Sequence, residues 1–166
     1  MQTRRNILLA GTAAALVGAW AFTRPSAKAK QAKSFEITRT DDEWRKVLTE
    51  QQFQVLRKHG TERPYTSPLN DNKAAGLYHC AGCDLPLYSS KTKFDSRTGW
   101  PSFWAALDDN AVGTTTDYLI GYPRTEVHCS RCGGHLGHIF NDGPPPTGKR
   151  HCINGVALKF VAETTG

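Results

Sequence analysis

The sequence predicts a mainly antiparallel β domain entered through two short helices, and three observations carry that prediction. Thr40 with Glu43, and Thr49 with Gln52, have the spacing of a capping box, in which each partner satisfies the other's backbone N–H at a helix start. From Thr61 onward, short apolar or alternating runs are divided by Gly, Pro, Asn and Asp, the punctuation of strands and turns. Two Cys-x-x-Cys pairs sit far apart within that part of the chain.

The first helix carries Trp44, Val47 and Leu48 on its apolar side. The second carries Phe53 and Leu56 and ends at His59-Gly60, with Gly60 expected as the left-handed cap. Strand-like runs follow at 76–79, 86–88, 111–115, 125–128, 136–140 and 151–161. Strict alternation along the last run puts Cys152, Asn154, Val156, Leu158 and Phe160 on one face, so that Cys152 and Asn154 are neighbours.

At 166 residues, 39% hydrophobic and 22% charged, the chain has the make-up of one globular domain, with no internal repeat. Its net charge of +6 is unevenly spread. Four of the 21 basic residues, Arg4, Arg5, Arg24 and Lys28, lie in the first 29 positions without an acid, leaving 17 basic against 15 acidic. That balance provides no phosphate-binding stripe, and no nucleic-acid partner is expected.

The N-terminus reads as an address. Thr3-Arg4-Arg5-Asn6-Ile7-Leu8-Leu9 is a twin-arginine pattern, followed by an apolar run of 16 residues from Ile7 to Phe22 and an A-x-A site at Ala27-Lys28-Ala29. The expected organisation is a signal at 1–29, a leader at 30–39 and one domain at 40–166. The expected location is the periplasm, reached already folded. Uncleaved, the run is a membrane anchor, although it is short of the roughly 20 residues that span a bilayer as a helix.

Cys80-Ala81-Gly82-Cys83 and Cys129-Ser130-Arg131-Cys132 are two knuckles whose turns each point both sulfurs to one side. Together they provide the four thiolates that tetrahedral Zn²⁺ prefers. The 45 residues between Cys83 and Cys129 mean that the metal clips two distant hairpins together. Such a site is closed and therefore structural. The competing readings are two redox-active or two structural disulfides.

Cys152 remains, in Lys149-Arg150-His151-Cys152-Ile153-Asn154. A lone cysteine is commonly a small buried hydrophobe. Flanking Arg150 and His151 point instead to an electropositive setting that favours the attacking thiolate. Upstream, Gly133-Gly134-His135-Leu136-Gly137-His138 offers two histidines open to general-acid, ligand or structural roles, with Asp142 beyond. In Gly99-Trp100-Pro101-Ser102-Phe103-Trp104, Trp100 and Phe103 either pack in the core or wall a site for a methyl or sulfur group.

These residues resemble the B-class methionine-R-sulfoxide reductases over about residues 40–160, through GWPSFW at 99–104, CGGHLGHIFNDGPPPTGKRHCINGVALKF at 132–160 and the paired knuckles. The resemblance implies a zinc-containing fold of two antiparallel sheets with N-terminal helices. It implies that Cys152 is the nucleophile and that Trp100 holds the methyl end of the substrate. His135 and His138 then protonate or polarise the sulfoxide oxygen, an imidazolium being the proton donor, while Asp142, Arg150 and Asn154 organise the site. Implied partners are oxidised proteins bearing methionine R-sulfoxide and an external thiol reductant, thioredoxin-like or other.

One position departs from many relatives, which carry a resolving cysteine just before GWPSF. Thr98 stands there, so turnover is expected to need an external thiol that attacks a Cys152 sulfenic acid directly. The other readings are a zinc-ribbon-like binding module with an inert Cys152, and a thiol peroxidase.

Overall fold

The computed structural model describes residues 34–164. The expected signal at 1–29 and residues 30–33 of the leader lie outside them. Among the described residues no helix is long and apolar enough to cross a membrane.

Helices α1 (Asp41–Val47) and α2 (Glu50–Lys58) both start at the expected capping boxes. Thr40 Oγ1 accepts the Glu43 N–H at 3.3 Å while the Glu43 carboxylate accepts the Thr40 N–H at 2.8 Å. Thr49 and Gln52 repeat the exchange at 3.2 and 3.0 Å. Trp44, Leu48, Phe53 and Leu56 are buried, but Val47 is 54% exposed because α1 ends at that residue and its side chain turns to solvent. The left-handed residue closing α2 is His59, with φ 56°, and not Gly60. Gly60 serves a different need: its N–H donates to the Gln54 carbonyl at 2.9 Å, and a Cβ there would stand 2.9 Å from the same oxygen.

Among the described residues nine strands follow: β1 (Gly76–Cys80), β2 (Pro86–Ser89), β3 (Lys93–Phe94), β4 (Ser102–Phe103), β5 (Val112–Asp117), β6 (Arg124–Cys129), β7 (His135–Phe140), β8 (Arg150–Ile153) and β9 (Leu158–Ala162). All their pairings are antiparallel, in a three-stranded sheet β2-β1-β9 and a six-stranded sheet β3-β4-β8-β7-β6-β5. The expected class, mainly β in two antiparallel sheets behind two short helices, is the observed one.

The run 151–161 is not one strand. A 3-10 turn at Gly155–Ala157 interrupts it, and the chain leaves the six-stranded sheet at Ile153 to enter the three-stranded sheet at Leu158. Cys152 and Leu158 thus lie on different sheets, not on one face. The Glu62 carboxylate fixes the turn by accepting the Gly155 and Val156 N–H groups at 2.5 and 3.0 Å.

Side chains from both sheets meet in the core. Phe103 of β4 stacks on Tyr88 of β2 at 4.4 Å and meets Tyr78 of β1 edge-on at 5.0 Å, all three without solvent exposure. Each such ring contributes roughly 1.5–3 kcal/mol through burial. Phe103, expected as part of a substrate wall, is therefore a core residue. Its neighbour Ser102 takes the other face of the strand, opposite Cys152.

Candidate active site

The two knuckles have the same backbone plan. Cys80 N–H donates to Leu85 O and Asp84 N–H to Cys80 O; Cys129 N–H donates to Gly134 O and Gly133 N–H to Cys129 O, all at 2.8–2.9 Å. Each turn closes on a left-handed residue, Asp84 at φ 62° and Gly133 at φ 68°. Glycine is needed at 133 because the Phe35 ring lies 2.3 Å from where a Cβ would stand.

The turns deliver Cys80 Sγ to 3.8 Å from Cys132 Sγ and Cys83 Sγ to 3.4 Å from Cys129 Sγ, with all four sulfurs within 4.8 Å of one another and none in a disulfide. Four sulfurs around zinc at about 2.3 Å are roughly 3.8 Å apart, so the set fits one ion. Cys80, Cys83, Cys129 and Cys132 form a site suited to one zinc, joining the β1–β2 and β6–β7 turns. Leu56 of α2 packs against both knuckles beside Gly82 and Gly134, which ties the helices to this clip.

Cys152, on β8, is half-buried and paired across to Ser102 on one side and His138 on the other. It opens into a pocket of about 140 Å³ that Trp100, Arg124, Gly137, His138, Phe140 and Asn154 also line. A larger groove of about 840 Å³ beside α2 holds no cysteine or histidine, so size does not mark the reactive site. Gly137 lets β7 approach β8 here: a Cβ on it would stand 2.0 Å from the Cys152 carbonyl oxygen.

Backbone clamps set the pocket walls. Trp100 Nε1 donates to Glu62 O at 3.2 Å, and the Glu62 N–H donates to Asn154 Oδ1 at 2.9 Å. The Asn154 side-chain amide donates to Leu136 O at 2.9 Å. One residue, Glu62, therefore holds both Trp100 and Asn154, a role the sequence did not reveal.

Arg150 grips Asp142 with two bonds, at 2.9 and 2.8 Å, and covers the Phe140 ring at 4.4 Å. Neither Arg150 nor Asp142 lines the pocket. Asp142 is exposed and anchors Arg150. Burial pushes the Cys152 thiol up, while the Arg150 charge and the Thr98 hydroxyl pull it back without reversing the shift. His151, expected to add positive charge, instead faces the core against Tyr88 OH at 3.2 Å, and burial lowers it to about 4. The resting thiol is thus protonated, contrary to the expected thiolate.

The two histidines are held by carboxylates, Asp117 and Glu126, that belong to no motif in the sequence. His138 Nε2 donates to Asp117 Oδ2 at 2.7 Å, and Arg124 donates to the same oxygen at 2.5 Å. The Leu119 N–H, His138 and Arg124 bring Asp117 down to about 2. His135 Nδ1 and the half-exposed His59 Nδ1 both donate to Glu126 Oε1, at 2.6 and 2.9 Å, and Thr115 donates to Oε2 at 2.7 Å. Against the effect of burial, these bonds hold Glu126 well below the usual carboxylate range. His138 lines the Cys152 pocket; His135 lies behind it, 5.4 Å away ring to ring. Burial is the largest influence on His138 and lowers it, so its imidazole is neutral at neutral pH.

A thiol and an imidazole in one pocket, beside an aromatic wall and apart from a four-thiolate clip, define the class: a zinc-clipped protein with one cysteine outside the metal site. Comparison with known proteins narrows it. The family model described as the SelR domain matches residues 48–162. The peptide methionine sulfoxide reductase MsrB of Pseudomonas putida strain W619 is 56% identical over 125 residues, which are 75% of this chain and 94% of that protein. Proteins of the same name from Agrobacterium fabrum and Methanosarcina barkeri are 50% and 52% identical, over 75% and 78% of this chain and 93% and 92% of theirs. The chain belongs to the SelR family, that of the MsrB peptide methionine sulfoxide reductases.

Proposed function

We propose that the protein reduces the R epimer of methionine sulfoxide, borne on proteins, and that an external thiol recycles it. The observation that carries this reading is the shared pocket of Cys152, His138 and Trp100 in a chain of this family. Because His138 Nε2–H is committed to Asp117, its Nδ1 is the basic nitrogen. As Cys152 sulfur attacks the sulfoxide sulfur, Nδ1 takes the thiol proton and passes it to the sulfoxide oxygen. The hydroxyl then moves from the methionine sulfur to the Cys152 sulfur: the old S–O bond and the new S–S bond break, methionine leaves with the S–S electron pair, and Cys152 is left as a sulfenic acid. Thiol and neutral imidazole hold the same number of protons as thiolate and imidazolium, so the expected imidazolium arises during the reaction instead of at rest.

A donor thiol then attacks the sulfenic acid, releases water and leaves a mixed disulfide that a second thiol resolves. A thioredoxin-like protein meets that requirement. The zinc holds the fold and takes no part in the chemistry. The inert zinc-ribbon module and the peroxidase are not favoured, since the family acts on methionine sulfoxide.

A steady-state assay with each epimer tests the reading: the R form is reduced and the S form is not, whereas equal turnover of both contradicts it. Export through the twin-arginine signal is part of the same proposal. N-terminal sequencing of the exported protein is expected to begin at Lys30, and retention in the cytoplasm contradicts it.

A further inference from the structure

Three hydroxyls run in line to the Cys152 sulfur. Ser102 Oγ lies 3.2 Å from Trp100 O and 2.7 Å from Ser96 Oγ; Ser96 Oγ lies 2.8 Å from Thr98 Oγ1, and Thr98 Oγ1 lies 3.9 Å from Cys152 Sγ. Ser102 is 1% exposed, and Ser96 and Thr98 are half-buried. A hydroxyl donates one bond, accepts others and can rotate, so the line has two arrangements.

With the thiol protonated, Cys152 S–H donates to Thr98, Thr98 to Ser96, Ser96 to Ser102, and Ser102 to the Trp100 carbonyl. With the thiolate, every hydroxyl turns: Ser102 donates to Ser96, Ser96 to Thr98, and Thr98 to the sulfur. The turn gives up the Ser102 bond to a neutral carbonyl and the weak S–H bond and gains one bond to an anion, and bonds with an ionised partner are roughly twice as strong as neutral ones.

We propose that Ser102, Ser96 and Thr98 form a reversible hydroxyl chain that stabilises the Cys152 thiolate, Thr98 touching the reacting sulfur and the two serines orienting it. This rests on Cys152 as the nucleophile of the proposed reaction. The thiol proton goes to solvent or to a neighbouring base. Burial works against the charge on sulfur and Arg150 works for it, from the same strand; Asp142, in the β7–β8 connection, works against it. His138 of β7 and Arg124 of β6 face the same pocket. The chain adds a donor from the β3–β4 side, which otherwise presents no charge to the sulfur among these groups.

The test is the pH dependence of iodoacetamide alkylation at Cys152, read by mass of the Cys152 peptide in the zinc-loaded protein. Thr98→Val keeps the side-chain shape without the hydroxyl, and is expected to raise the Cys152 pKa by about one unit, slowing alkylation at pH 7 about tenfold. Thr98→Ser is expected to titrate like the natural protein, and Ser96→Ala to shift in the direction of Thr98→Val. Unchanged titration in Thr98→Val, or an equal shift in Thr98→Ser, overturns the proposal. An unshifted Ser96→Ala also overturns it, and this variant carries the test should Thr98→Val fail to fold. Failure of the natural protein to reduce sulfoxide would strike the proposed function and leave the alkylation result standing.

Discussion

Replacing Cys152 by serine is expected to leave a folded, zinc-bound protein whose reduction of methionine R-sulfoxide has fallen more than about 10³-fold. A serine hydroxyl at neutral pH is a far poorer nucleophile than a cysteine whose proton a neighbouring imidazole can take. The structural cost is small by comparison. Cys152 is half-buried in a pocket that none of the four zinc ligands lines, and such a change costs about 1 kcal/mol. Activity against the R-sulfoxide, with zinc content and circular dichroism as controls, checks it. Retained activity in a folded variant removes Cys152 from the reaction.

Stripping the zinc has the larger structural effect. The clip joins turns 45 residues apart in sequence, and α2 is packed onto both of them through Leu56. Structural zinc sites in small peptides contribute about 10–16 kcal/mol at neutral pH, while whole domains are stable by only about 5–15 kcal/mol. Chelation under reducing conditions is therefore expected to unfold the chain at 25 °C, with loss of ellipticity and activity together, and Cys129→Ser to give unfolded protein. A native spectrum after removal of more than nine-tenths of the metal contradicts this role. The Cys152 pocket is expected to fail only because the fold does.

What was legible in the sequence is what short-range chemistry determines. Both capping boxes are local patterns and form as read, and each Cys-x-x-Cys turn carries its own geometry. Features that depend on distant partners were not legible. Alternation continues through Asn154 in the sequence, yet Glu62, 93 residues before Gly155, holds the turn that breaks the strand. Phe103 and Trp100 read alike as aromatics in one motif. The two-residue strand β4 sends Phe103 into the core, while Trp100, before the strand, stays at the pocket.

His59 read as the end of a helix; it takes the left-handed conformation that Gly60 was expected to supply, and its ring bonds Glu126, 67 residues on. Asp117 and Glu126 were the missed residues with a signal. Both are acids on strands, and hairpin register puts Asp117 opposite Arg124. The buried face of His151 followed from alternation with Cys152, and reading it would have withheld one positive charge from the thiol.

One sulfur, Cys152, is expected to carry the oxidising equivalent alone, because Thr98 and not a second cysteine lies against it. The direct measurement is a single turnover of zinc-loaded protein with excess methionine R-sulfoxide and dimedone, without any thiol donor. One methionine per chain should form, with the dimedone adduct on Cys152 and the four zinc ligands unmodified. A Cys152 disulfide to another cysteine of the same chain would show instead that a second sulfur shares the oxidising equivalent.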